Sequence, residues 1–112
     1  ITDPIEPEEY QGIMSLSNSI SISGGIASCR YSVDMQGGYK ANVTTILQKS
    51  SGGDWSEVTS WSHTGIYSID ETQKRAVTRG YSYRLKTYVN TYNSAGNFVE
   101  GEMKISNTVH YY

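Results

Sequence analysis

Two imidazoles and one thiol, with a scatter of carboxylates, are the groups in these 112 residues that could do chemistry. Acyl transfer would need His63 or His110 beside a hydroxyl nucleophile, with an acid to orient the ring. His63 sits in Trp61-Ser62-His63-Thr64-Gly65, which reads as a loop edge, and His110 falls on the polar parity of the last strand. Neither adjoins a Ser-centred elbow of the hydrolase kind. Glu100 and Glu102, two apart, would share one strand face, within the roughly 5–10 Å that glycoside hydrolysis uses. Same-face carboxylates are equally ordinary on a wet strand. Asp34, Asp54, Asp70 and Glu71 lack the spacing of a calcium loop, and two His with one Cys lack that of a zinc site. Gly24–Gly25, Gly37–Gly38 and Gly52–Gly53 read as turns and not as phosphate cradles. Asn42-Val43-Thr44 matches a glycosylation sequon by pattern. The expectation is therefore no catalytic residue, no metal and no cofactor.

Cys29 is the sole cysteine, which excludes an internal disulfide. Its neighbours in phase are Ala27, Tyr31 and Val33, so it reads as a small buried hydrophobe. A reactive thiol would need an accessible, electropositive setting. Arg30 is adjacent, but points to the opposite face.

Flat aromatics remain as binding candidates. Tyr88 and Tyr92 fall on the polar parity of one strand, about 13 Å apart by strand rise. Trp55 and Trp61 share one parity while Val58 has the other, so either both tryptophans face outward or a bulge re-aims one. Rings with hydrogen-bonding rims suit sugars or protein partners; as the alternative, they lie over neighbouring strands as ordinary cross-strand pairs.

The elements that would hold these groups are strands. Ala27, Cys29, Tyr31, Val33 and Met35 alternate with Ser28, Arg30, Ser32 and Asp34. Met14, Leu16, Ile20 and Ile22 alternate with serines, and Val99, Met103, Ile105, Val109 and Tyr111 with polar residues. Period two means one buried face and one wet face. Strands are expected over 13–22, 26–35, 41–49, 54–62, 66–78, 81–92 and 98–111. The fifth is interrupted by the polar run Asp70 to Arg75, where a helical turn would fit. Val43, Thr45 and Leu47 are expected inside, as are Leu85 and Val89. Pro4 and Pro7 make 1–11 an extended tail, and 12–112 one sandwich domain.

Composition narrows the class. Ser and Thr supply 26 residues and Tyr ten, charged residues are 18%, and the net charge is −2. That argues against a nucleic-acid partner, which would show as clustered Lys and Arg. No run approaches the roughly 18 apolar residues of a membrane span. The opening Ile-Thr-Asp-Pro-Ile-Glu reads as a mature N-terminus after removal of a signal peptide, hence a secreted or surface-exposed protein.

Ala76-Val77-Thr78-Arg79-Gly80-Tyr81-Ser82-Tyr83-Arg84-Leu85 resembles the entry to strand F of immunoglobulin-like and fibronectin III-like domains, where a tyrosine closes the corner. The resemblance implies that role for Tyr83. It places Leu85 where antibody domains carry their second Cys, and Cys29 on the strand of their first. The implied fold is an all-β, two-sheet antiparallel sandwich of about seven strands. Ile46-Leu47-Gln48-Lys49 through Trp55, Val58 and Trp61, then Gly80 to Thr87 and Asn93-Ser94-Ala95-Gly96-Asn97, are similar to an uncharacterised family of small secreted β-sandwich proteins from Gram-positive bacteria. That family carries no known active site. The expected function is a non-catalytic binding or adhesion module for a protein or cell-envelope partner. The alternatives are a carbohydrate-binding module using Tyr88, Tyr92, Trp55 and Trp61, and, third, a small secreted hydrolase. Exposed first and last strands would allow weak homo-oligomers by edge pairing.

Overall fold

The alternating stretches form strands in a computed structural model that describes residues 12–112; the expected tail over 1–11 lies outside them. In chain order the strands are β1 (Ile13–Ser23), β2 (Ile26–Met35), β3 (Lys40–Ser50), β4 (Trp55–Ile66), β5 (Ser68–Ala76), β6 (Tyr81–Tyr92), β7 (Phe98–Ile105) and β8 (Val109–Tyr111). One sheet has the order β1-β2-β5; the other has β4-β3-β6-β7, with β8 also on β6. Every pairing is antiparallel. The two sheets form an all-β antiparallel sandwich. β7 and β8 both run along β6, so together they are one seventh strand broken at 106–108.

The inward residues build two apolar clusters. Tyr31, Val33, Val43, Ile69 and Val89 form one; Ile20, Cys29, Leu47, Tyr83 and Leu85 form the other. Fully burying one such side chain is worth about 1.5–3 kcal/mol. Between the clusters runs a short polar chain. Asn18 Nδ2 donates to Thr87 Oγ1 at 3.0 Å, and Thr87 and Thr45 share a hydroxyl bond of 3.0 Å. Thr45 and Thr87 are buried, so their hydroxyls need these partners.

Three expectations change and one open alternative, that of the tryptophans, is decided; three of these four outcomes come from bulges. A register shift between Ile13 and Ser15 buries Ile13 and turns Met14 out. A second shift on β4 leaves Val58 without an opposite residue. It inverts parity, so Trp61 points inward against both clusters while Trp55 points out. The third lies in the last strand: Thr87 pairs with Lys104 and Tyr83 with Val109, four residues on β6 against five on β7–β8. The extra residue puts Val109 and Tyr111 inside and sends Met103 and Ile105 out. The fourth is β5, which runs unbroken through Asp70 to Arg75 with no helical turn. Its pairing with β2 supplies the ladder that its polar side chains do not forbid.

The open edge of β1 is covered by side chains of the last strand. Ile13 N donates to Glu100 Oε1, Lys104 Nζ donates to Leu16 O, and Asn107 both accepts from Ile20 N and donates to Ile20 O. Inward-pointing charges at an edge are a known guard against pairing with a second chain.

Candidate binding face

β6 presents Arg84, Lys86, Tyr88, Asn90 and Tyr92 outward at every second position, because Tyr83, Leu85, Thr87, Val89 and Thr91 face the core. β7 lies beside it with Ile105 opposite Lys86, Met103 opposite Tyr88, Gly101 opposite Asn90 and Phe98 opposite Tyr92. Phe98 and Tyr92 meet edge to face at 5.9 Å. The Phe98 ring also leans on Gly101: a Cβ there would lie 3.7 Å from Phe98 Cζ. Phe98 is 60% exposed, Met103 47%, Ile105 41% and Tyr88 38%. These four thus form one apolar stripe on the outer face of the larger sheet.

The rest of this face is cationic and aromatic. Arg84 stacks over Trp55 at 4.1 Å and donates from Nε to Gln48 Oε1 at 2.8 Å. Lys86 Nζ stands 5.4 Å from the Tyr88 ring centre. The strand charges here are Lys40, Arg84 and Lys86, against Glu57. Of the four aromatics predicted as a site, Trp55, Tyr88 and Tyr92 therefore share one face. Trp61 does not: the bulge at Val58 turns it into the core. Phe98, Met103 and Ile105 are the binding candidates that alternation hid, since by strict parity Met103 and Ile105 belong inside. The Ser106-Asn107-Thr108 run was the available signal of a break.

The groups considered for chemistry lie apart. His63 is on β4, not a loop edge; its ring is 5.7 Å from that of Tyr31, and Gln73 Nε2 is 3.3 Å from His63 Nε2. His110 Nδ1 lies 2.6 Å from Ser82 Oγ across the β6–β8 pair, and its ring stacks on Tyr112 at 5.9 Å. Glu100 is engaged with the backbone of β1. Asp34 accepts from Ser15 Oγ, and Asp70 forms a two-point pair with Arg30 that holds its carboxyl below the usual range. Cys29 is fully buried, and burial pushes its thiol up to about 11. Tyr83 closes the corner before β6: its hydroxyl donates to Thr78 O at 2.7 Å and accepts from Thr78 N at 3.1 Å. Among the described residues no group of three or more His, Cys, Asp or Glu is placed to hold a metal ion. Nor is any helix long and apolar enough to cross a membrane.

The chain matches no protein-family model, and no curated protein matches it.

Proposed function

We propose that this protein is an exported, non-catalytic binding module that docks a protein partner on the outer face of the larger sheet. The observation that carries this is the contiguous stripe of Tyr88, Phe98, Met103 and Ile105 on two adjacent strands. Exposed apolar residues scattered singly need no explanation; side by side on a rigid sheet and rimmed by polar groups, they mark an interaction surface. Aromatic, Met and Arg side chains are the types enriched in such interfaces, and Trp55–Arg84 extends the same face. Export is supported by the hydroxyl-rich composition.

The test is an array of extracellular and cell-envelope proteins printed beside a glycan array. Wild-type protein is expected to bind protein spots. Signal should fall at least tenfold for Phe98→Glu/Met103→Glu, and persist for Ser17→Glu/Ser32→Glu on the opposite face. Glycan spots without protein spots, or protein binding indifferent to Phe98 and Met103, would overturn the reading.

A further inference from the structure

A second site lies at the end of the sandwich where the β2–β3 loop, the β4–β5 corner and the β6–β7 hairpin meet. Two adjoining cavities of about 240 and 260 Å³ open there, and Lys40 and Gly96 line both. Lys40 begins β3 on its outer face, with Ile66 opposite it on one side and Tyr92 on the other. Among the described residues no carboxylate lines either cavity. Hydrogen-bonding groups surround Lys40. Asn42 spends Oδ1 on Thr64, and Asn93 spends Oδ1 on the amides of Ala95 and Asn97. Each side-chain amide nitrogen is thereby turned to a fixed direction, with no partner among the described residues. The walls are braced by backbone bonds, Met35 N to Tyr67 O at 2.7 Å and Asn93 N to Asn97 O at 2.9 Å.

Tyr67 carries the second observation. The chain crosses from one sheet to the other through this single residue, which holds a φ of 69°. It is the one non-glycine in the left-handed region among the described residues. Glycine or asparagine would serve there with little or no strain. Instead the position carries an aromatic ring that is 64% exposed, adds little to the core, and stands at the cavity mouth beside Gly37. A strained residue that does not serve packing points to a role at the site it lines.

We propose that this end of the sandwich binds a carboxylate-bearing sugar, a hexuronate unit of an acidic glycan. Lys40 meets the carboxylate, the amides of Asn42 and Asn93 donate to ring hydroxyls, and Tyr67 and Tyr92 offer flat faces to the pyranose. A phosphate would favour the guanidinium fork, and no arginine is among the described residues of either lining. An acidic peptide would leave the tyrosine faces without a ring to cover. The inference goes beyond the protein-docking stripe, and stands or falls separately from it.

Trigalacturonate is the probe, titrated into the full chain by calorimetry and by amide chemical-shift mapping. Saturable binding is expected, with shifts confined to residues around 38–42, 66–67 and 92–96. Methyl esterification of the probe, or Lys40→Met, should weaken it about tenfold or more, the scale of one charge-assisted hydrogen bond. Lys86→Met, on the same sheet, should keep it. Tyr67→Gly should bind more weakly while melting at a higher temperature, which separates affinity from folding. Should Lys40→Met fail to fold, protection of wild-type Lys40 but not Lys86 from acetylation by added trigalacturonate gives the same answer. No saturable binding would overturn the proposal. So would equal binding of the methyl ester or by Lys40→Met, or tighter binding of inorganic phosphate or tetraglutamate.

Discussion

The outer faces of the two sheets differ sharply. On the three-stranded sheet, Ser15 bonds Asp34, Ser17 bonds Ser32, and Arg30 pairs with Asp70 across β2 and β5. Its polar groups satisfy one another and water. The larger sheet exposes Tyr88, Phe98, Met103 and Ile105 side by side and stacks its cations on rings. Both faces lie over the same core, so the difference is not imposed by the fold. A hydroxyl-rich face discourages partners because it would have to give up water for no apolar gain. The other face gains about 25 cal/mol for each Å² of apolar surface covered.

The largest effect should come from the core that both faces share. Leu85→Ala, beneath the larger sheet, is expected to cost about 2–5 kcal/mol in urea unfolding, weakening both faces alike. Next comes Cys29, beneath the smaller sheet. Its thiol titrates near 9 when unfolded and at about 11 when folded. The folded state therefore holds the proton more tightly. Its stability contribution is complete below pH 9 and is lost as pH rises towards 11, a change of about 2–3 kcal/mol. Cys29→Ala should flatten that alkaline limb, and an alkylating reagent should reach the wild-type thiol only as the chain unfolds.

Smaller effects separate the faces themselves. Tyr67→Gly, at the end of the larger sheet, should stabilise by about 1 kcal/mol in thermal unfolding by relieving the left-handed strain. Phe98→Ser should cost about 0.5–1.5 kcal/mol through its contact with Tyr92. The smallest change is expected on the wet face. Asp70 is held ionised by Arg30, so the pair supports the fold above the unfolded carboxylate value and is lost as pH falls through the lowered one. Arg30→Met should flatten only this acid limb, and added salt should mask the difference, since both side chains stand in water.

Alternation located β2 and β6 residue by residue, because both are central strands and the extra residues of their ladders fall on the partners β1 and β7. It also put Cys29 and Leu85 in the interior, and the Tyr83 corner was visible in the run from Thr78 to Leu85. Edge strands were less readable. Trp55 and Trp61 are six apart and share a parity, which by itself leaves open whether both face outward or a bulge re-aims one; the unpaired Val58 sends them to opposite sides. Met103 and Ile105 read as core, yet one added residue at 106–108 makes them surface. The Lys40 site was not readable at all, since its walls come from three connections far apart in the chain.

The order of polar and apolar residues by itself determined the all-β class, the inward set of the central strands and the hydroxyl-rich exterior, because a pleated chain must alternate its sides. Only the tertiary structure decided which face became a docking surface and which aromatics reached it. A single bulged residue inverts every side chain beyond it, and pairing with a neighbouring strand, not local preference, decides where that residue falls.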